Sequence, residues 1–168
     1  MTVIKNKDQR VGVLIDVQNM YHSAKNLYQA RVNFREVLKT ATAGRKLIRA
    51  LAYVVTTETG EEKAFLEALA KAGIEVKSKE LQIFPGGMKK ADWDVGIVVD
   101  AIRTSASLDV IVLCSGDGDF HPLVEYLKNQ GKRIEVLAFG KTTSSKLKEA
   151  ADEFIDLDKN PDKYLLKK

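Results

Sequence analysis

The sequence predicts an α/β fold in which a central, mostly parallel sheet lies between two layers of helices. Two observations support this prediction. Short apolar runs rich in β-branched residues recur along the chain, and most are nearly continuous, as in strands buried on both faces. Amphipathic segments with helical spacing separate these runs, and this alternation is typical of parallel sheets with helices on both faces. With 168 residues, 45% of them hydrophobic, the chain can form one such domain.

Six segments are predicted to form strands. The third alternates between polar and apolar residues and is expected to be more exposed, and the last is a candidate edge strand. In chain order, the segments are 11–16, 50–57, 75–84, 109–116, 133–140 and 153–158.

Four segments between the strands are predicted to form helices, and their ends carry the expected signals, such as Gly73 and Gly131 as stops. The second of them has four apolar residues at helical spacing, which mark an apolar face: Val95, Val98, Val99 and Ile102. The segments are 60–73, 91–106, 119–131 and 143–152.

The composition excludes several classes of protein. One cysteine rules out a disulfide framework and a cysteine-based zinc cluster, and two histidines are too few for a histidine-rich metal site. The apolar runs are too short to cross a bilayer, and the first ten residues lack the apolar core of a signal peptide. We therefore expect a cytoplasmic protein without a membrane partner. The net charge of +4 permits a polyanionic partner.

One domain is expected over residues 10–158, because no repeat, low-complexity tract or linker interrupts the pattern. The polar segments 1–9 and 159–168 are expected to be loose. The sequence does not fix the oligomeric state, and a homo-oligomer remains open.

The first candidate site residues follow the first strand. In doubly wound sheets, ligands bind beyond the carboxyl ends of the strands. Asp16 stands at such an end, and Asn19 follows three residues later, which places an anionic and an amide oxygen at the rim of the sheet. Alternatively, Asp16 only caps the helix that follows it.

A second candidate is the segment Ser-Gly-Asp-Gly-Asp-Phe at 115–120, which directly follows an apolar strand. Its glycines allow a tight turn, and its carboxylates are the hard oxygen donors that magnesium or manganese prefers. A role for Asp119 as a helix cap would explain that residue but not Asp117.

The third source of carboxylates is the helix at 91–106. Asp94 and Asp100 are six residues apart, so they point about 120° apart around the helix and are not expected to line one site. We favour Asp94 as the site residue and a supporting or structural role for Asp100. Crowding Asp94 with Asp16 and Asp117 is costly unless a divalent cation neutralises them. The sequence therefore predicts a Mg²⁺ or Mn²⁺ site.

Three motifs together resemble the NYN domains of the LabA-like group, in the PIN-like nuclease superfamily. They are Ile-Asp-Val-Gln-Asn at 15–19, Lys-x-x-Trp-Asp-Val-x-Ile-x-x-Asp at 90–100, and the segment at 115–120. The resemblance spans roughly residues 10–157, with the motifs in family order. It implies a three-layer α/β/α fold and a metal-dependent nuclease that acts on RNA.

The resemblance also implies residue roles. Asp16 matches the acid of the first strand, with Asn19 as its partner, and Asp94 matches the acid beside the central helix. Asp117 and Asp119 match the acids of the loop after the central strand. The implied catalytic set is Asp16, Asn19, Asp94 and Asp117, and the implied metal ligands are Asp16, Asp94, Asp117 and Asp119. Trp93 stands where the family often has an aliphatic residue, a change we expect to be tolerated.

Substrate contacts are expected from polar residues near these acids. Lys89 and Lys90 lie in a basic loop that leads towards Asp94, Lys141 follows a later strand, and all three are suited to phosphate groups. Ser115 is suited either to a phosphate or to an aspartate carboxylate. A solvated basic loop is the alternative for the lysines.

The predicted function is hydrolysis of phosphodiester bonds in RNA, with single-stranded RNA favoured. Some members of the wider group act in regulation without demonstrated cleavage, so a non-catalytic RNA-binding or regulatory module is the alternative. A haloacid-dehalogenase-type phosphatase requires a second aspartate where this chain has Gln18, and a Toprim site requires a glutamate where it has Asp16. Both departures disfavour those enzymes.

Overall fold

The structure, a computed structural model, describes residues 5–57, 60, 62–83, 85–86, 89–90 and 92–166, and gives only the backbone at 82–83 and 89–90. Within these residues the chain forms eight strands and seven α-helices. No helix among them is long and apolar enough to span a membrane. They are β1 (Arg10–Asp16), α1 (Val17–Tyr28), α2 (Phe34–Thr42), β2 (Lys46–Thr56), α3 (Lys63–Lys71), β3 (Glu75–Glu80), β4 (Gln82–Ile83), β5 (Lys89–Lys90), α4 (Asp94–Ser105), β6 (Val110–Cys114), α5 (His121–Asn129), β7 (Arg133–Ala138), α6 (Ser145–Ala150), β8 (Glu153–Asp156) and α7 (Pro161–Tyr164).

The central sheet has six parallel strands in the order β3-β2-β1-β6-β7-β8, while β4 and β5 form a separate antiparallel pair. The strand order reverses between β1 and β6, where such folds form a crevice at the carboxyl ends of the strands. At the carboxyl ends of β1 and β6, Ile15 pairs with Cys114, so the residues that follow these two strands lie side by side at the crevice. The predicted α/β fold with a central parallel sheet is confirmed.

The core lies on both faces of the sheet because side chains alternate along each strand. In β1, Val13 and Ile15 pack against α1, α2, α3 and α7, whereas Leu14 packs on the side of α4, α5 and α6. This alternation gives three layers, with the sheet in the middle.

The face of α4 that packs on the sheet differs from the one that the sequence pattern suggests. Its buried residues are Ile97, Asp100 and Ala101, whereas Val95, at 75% exposed, and Ile102 face solvent. The helix can bury Asp100 because the Tyr53 hydroxyl donates a hydrogen bond to it at 2.8 Å. Hydrophobic spacing alone could not anticipate a buried carboxylate with such a partner.

Helices α1 and α2 are not among the predicted helices. Their sequences mix polar residues with a narrow apolar stripe, and their ends depend on local hydrogen bonds. The Asn33 side chain caps α2 by accepting a hydrogen bond from the Glu36 backbone at 3.3 Å, and Gln29 and Ala43 end the two helices in left-handed conformations.

Residues 159–168 are expected to be loose, but their described part, which ends at residue 166, contacts the domain. Tyr164 is buried against α2, and its hydroxyl lies 3.0 Å from Thr40 Oγ1. The backbone of Leu166 donates to the carbonyl of Arg31 at 2.8 Å. At the other end, Lys46 N donates to Gln9 O, so the segment before β1 is also attached, while residues 1–4 lie outside the described residues.

Candidate active site

Asp16 ends β1 and is 8% exposed at the carboxyl edge of the sheet. One carboxylate oxygen accepts a hydrogen bond from the backbone of Asn19 at 3.3 Å, so Asp16 does cap α1. The other oxygen accepts from the Ser115 hydroxyl at 3.0 Å. The two interpretations of Asp16 are therefore compatible, because one residue caps the helix and also holds a carboxylate at the crevice.

Ser115 joins the ends of β1 and β6 below the surface. It has no exposed area, and its hydroxyl donates to Asp16 while accepting from the backbone of Asp117 at 3.2 Å. Ser115 thus donates to an aspartate carboxylate, one of its two predicted partners, and has no exposed area in this structure with which to contact a phosphate. Beside it, the backbone N–H of Gly116 donates to Asn19 Oδ1 at 2.9 Å, which fixes that amide.

The loop after β6 is held close to the segment that follows β7. A Cβ atom at Gly116 would lie 2.7 Å from Thr143 Oγ1 and 3.0 Å from Thr143 Cα, so this position requires glycine. The backbone N–H of Ser144 donates to the carbonyl of Gly116 at 3.0 Å. The loop then turns at Asp117, whose carboxylate accepts from the backbone of Asp119 at 2.9 Å. Both aspartates of the motif are thus fixed at the crevice.

Trp93 attaches the start of α4 to the sheet. Its indole N–H donates to the carbonyl of Val54 at 3.0 Å, and its ring centroid lies 5.4 Å from that of Tyr53. The Lys79 ammonium lies 4.3 Å from the Trp93 ring centroid and donates to the carbonyl of Asp92 at 2.7 Å. These contacts bring Asp92 and Asp94 to the carboxyl edge of the sheet.

Three carboxylates form a cluster that could hold a metal ion: Asp94, Asp117 and Asp119 each offer one oxygen, and these oxygens lie within 4.8 Å of one another. Asp94 and Asp117 also line a cavity of about 360 Å³, together with Asp16 and Asp92. Of the four predicted metal ligands, three thus form the close cluster, and Asp16 lies on the wall of the adjoining cavity.

The electrostatics of the cluster favour a bound cation. Burial, followed by the charges of Asp117 and Asp16, raises the pKa of Asp94 to about 6. The pKa of Asp16 is also raised, mainly by burial and to a lesser extent by Asp117 and Asp92. Over the described part of the chain, none of the site aspartates forms a salt bridge. Three hard oxygen donors, without a counter-charge among the residues that the structure describes, suit a magnesium or manganese ion.

Asp92 is not among the site residues that the sequence predicts, although it lines the cavity and its carboxylate accepts from the backbone of Asp94 at 3.1 Å. The alternation Asp-Trp-Asp at 92–94 is the signal that could have identified it. The cavity wall also includes His22 and Thr142, which come from α1 and from the turn after β7. Only the tertiary fold brings these two residues to the acids.

Lys141, predicted to contact substrate, is exposed, and its ammonium lies 5.9 Å from the Tyr28 ring centroid, whereas its neighbour Thr142 lines the cavity. The backbone of Lys89 and Lys90 forms β5, but their side chains lie outside the described residues. The roles of all three lysines therefore remain predictions.

Asp100 lies away from the cavity and is paired. It accepts hydrogen bonds from the Tyr53 hydroxyl at 2.8 Å and the Lys77 ammonium at 2.7 Å, and Arg103 lies 3.5 Å away. Although burial opposes the shift, these partners lower the pKa of Asp100. Its surroundings fit a structural role.

Six parallel strands between two helical layers, with acids at the point where the strand order reverses, define a PIN-like domain. Residues 10–158 match the NYN domain family, and the chain belongs to this family. The family is a PIN-like nuclease family, so the resemblance seen in the motifs is confirmed.

Two relatives match nearly the whole chain. The low amplitude and bright protein LabA of Synechococcus elongatus is 30% identical over 161 residues, which covers 90% of this chain and 85% of that protein. A crystal structure of a protein of unknown function from Vibrio parahaemolyticus is 32% identical, with a TM-score of 0.86 over 98% of this chain and 100% of that one.

Proposed function

We propose that the protein is a metal-dependent ribonuclease that hydrolyses phosphodiester bonds in single-stranded RNA. The main observation in support is the cluster of Asp94, Asp117 and Asp119 beside the cavity that Asp16 lines. Membership of a PIN-like nuclease family supports the same class of reaction.

In this proposal Asp94, Asp117 and Asp119 hold one Mg²⁺ or Mn²⁺ ion, and Asp16 supplies a further carboxylate oxygen from the adjoining wall. A divalent cation at this position lowers the pKa of water and neutralises charge that develops on the phosphoryl group. The protein contributes by fixing the carboxylates before substrate arrives: the loop of Asp117 is pinned at Gly116, and Asp16 is oriented by Ser115.

Asn19 positions the reacting groups. Its carbonyl oxygen accepts from Gly116 N, which leaves the amide N–H groups to donate to the attacking water or to a phosphate oxygen. Because this amide stands between Asp16 and the loop of Asp117, it is placed to orient a group at the cation. Lys89, Lys90 and Lys141 are proposed to contact the sugar–phosphate backbone without base specificity.

Single-stranded RNA is favoured because a shallow crevice above the edge of a sheet accepts a splayed strand more readily than a stiff duplex. The cavity of about 360 Å³ offers room for a phosphate and its sugar rather than for a helix.

The test is cleavage of unstructured RNA by matched preparations of wild type, Asp16→Asn, Asp117→Asn and the control Asp8→Asn, an exposed acid in the turn before β1. We expect cleavage that requires Mg²⁺ or Mn²⁺, stops with EDTA and falls at least about a hundredfold in both site variants, since charge stabilisation at the phosphoryl group is lost. The control should cleave like wild type, and melting temperatures should confirm folding.

Equal cleavage by wild type and both site variants would reveal a contaminating nuclease. If wild type cleaves no RNA with either metal but still binds RNA, the proposed activity is wrong and the alternative, a non-catalytic RNA-binding module, is favoured.

A further inference from the structure

A second cavity lies beside the catalytic one on the surface of α1. It has a volume of about 500 Å³, and its walls include Tyr21, Lys25, Asn26, Gln29, Arg31 and Leu166. Asn26 lines both cavities, so they adjoin. The Tyr21 ring also contacts the His22 ring of the catalytic cavity, with centroids 5.4 Å apart and planes nearly perpendicular.

The two cavities differ in charge. The catalytic cavity is lined by four aspartates, whereas the second one is lined by two cations, Lys25 and Arg31, and by no acid among the described residues. Its amides and its aromatic ring add groups that suit nucleotide bases. Tyr21 is 41% exposed, and the Lys25 ammonium lies 5.7 Å from its ring centroid and 3.5 Å from its hydroxyl oxygen, so a cation and a partly exposed aromatic ring lie together.

Backbone hydrogen bonds fix the segments that form the walls of the second cavity. Gln29 ends α1 in a left-handed conformation, with its backbone N–H bonded to the carbonyl of Lys25 at 3.0 Å. Leu166 is attached to Arg31 by a backbone bond, and Val32 pairs with Leu165 in an antiparallel bridge. The segment that closes the cavity therefore lies beyond residue 158, where the family match ends.

We infer that this cavity binds the next nucleotides of the RNA strand whose scissile phosphate occupies the catalytic cavity. The inference rests on the proposed function and specifies where its substrate continues. A base stacks on the Tyr21 ring, while Lys25 and Arg31 contact phosphates on either side of it. Stacking on an exposed aromatic ring beside cations is the general way in which proteins hold unpaired nucleic acid.

Helix geometry supports a continuous strand. Asn26, which lines both cavities, is seven residues beyond Asn19 on α1, so it lies on nearly the same face of the helix, about 10 Å further along the axis. This distance is within reach of the next nucleotides of an extended strand. The shared residue Asn26 and the contact between Tyr21 and His22 join the wall of the acidic cavity to the wall of the basic one.

The test measures binding rather than cleavage. A fluorescently labelled, unstructured RNA of about ten nucleotides, within the site sizes of single-strand binders, is titrated in Mg²⁺ against proteins that all carry Asp117→Asn to suppress cleavage. The variants are Tyr21→Ala and Lys25→Gln. Their matched controls are Tyr126→Ala on α5, which is 46% exposed, and Lys71→Gln, an exposed lysine of α3.

We expect Tyr21→Ala to weaken binding about five- to tenfold, as the loss of one stacked base predicts. Lys25→Gln should lower the slope of log affinity against log salt by about 0.7, as expected for one lost phosphate contact to a single strand. Neither control should change affinity or slope. An RNA with an abasic residue at the stacked position should bind the Asp117→Asn parent protein and its Tyr21→Ala variant equally.

If the pocket variants bind like their controls, the inference is overturned, whatever the cleavage assay gives. If the parent protein binds no RNA, the inference is also overturned. The proposed function is tested separately, because it fails if wild type does not cleave RNA. RNA binding that depends on Tyr21, without any cleavage, would support the RNA-binding cavity and contradict the proposed ribonuclease activity.

Discussion

The carboxylates at the two ends of the sheet differ in the partners that the protein supplies to them. Near the amino ends, Glu135 has no exposed area and accepts two hydrogen bonds from Arg45, at 2.9 and 2.8 Å, and one from Arg133 at 2.8 Å. Although burial opposes the shift, these cations lower the pKa of Glu135. At the carboxyl ends, by contrast, burial and neighbouring aspartates raise the pKa values of Asp16 and Asp94.

The difference separates structure from function. A buried charge is tolerated where the chain supplies its counter-charge, as for Glu135. At the carboxyl edge of the sheet, the described residues supply hydroxyl and backbone donors to the aspartates but no salt bridge. The unbalanced negative charge costs stability in the absence of a ligand and is the physical basis for expecting a cation from outside.

The largest expected effect concerns the paired end. Arg45→Met should lower the free energy of unfolding by about 3 kcal/mol, because it leaves Glu135 buried without its main partner. Urea unfolding measures this loss, and the double variant Arg45→Met with Glu135→Leu should recover most of it.

The control for this experiment is Arg49→Met, which removes a pair with Glu75 whose side chains are 41% and 55% exposed. It should cost less than about 1 kcal/mol. If Arg45→Met lowers the free energy of unfolding no more than the control does, the ion pair of Arg45 and Glu135 does not stabilise the protein, and the proposed contrast between the two ends of the sheet is wrong.

A smaller effect of opposite sign is expected for Asp94, at the carboxyl edge of the sheet. The pKa of Asp94 in the folded protein, about 6, lies above its ordinary value of 3.8. As pH rises between these values, the unfolded chain loses the proton while the folded chain retains it, so stability falls and remains lower at pH 7. In EDTA at pH 7, Asp94→Asn should therefore stabilise the protein, by up to about 1 kcal/mol because solvent screens this partly exposed group.

This gain should disappear well below pH 4, where both states hold the proton. The comparison variant is Asp109→Asn, since hydrogen bonds from Arg10 lower the pKa of Asp109 to about 2. The effect on stability has the opposite sign here. Ionised Asp109 stabilises the folded protein above its ordinary pKa, and this stabilisation is lost as pH falls towards 2, so Asp109→Asn should destabilise the protein at pH 7. Loss of stability in Asp94→Asn at pH 7 would contradict the account.

The features that the sequence predicts are local ones. Asp16 and Asp117 could be placed because each directly follows a buried strand, and the parallel order of the strands brings such ends together. Helical geometry alone indicates that Asp94 and Asp100 do not line one site. Each of these positions can be predicted from its neighbours in the sequence and from the order of the parallel strands.

The features that the sequence does not predict depend on distant partners. The buried face of α4 is set by Tyr53, which is 47 residues from Asp100, and the pair of Arg45 and Glu135 joins residues 90 positions apart. The attachment of residues 161–166 depends likewise on α2 and on Arg31. No local pattern of polarity marks such contacts, because each becomes favourable only when both partners are brought together.

The most direct test of the central claim, that the unpaired acids form a cation site, is the anomalous diffraction of a crystal soaked in Mn²⁺. We expect an anomalous peak from a Mn²⁺ ion that is coordinated by oxygens of Asp94, Asp117 and Asp119. The same soak of Asp117→Asn should lose or strongly weaken this peak. A saturating soak of wild type that gives no peak between these carboxylates would contradict the account.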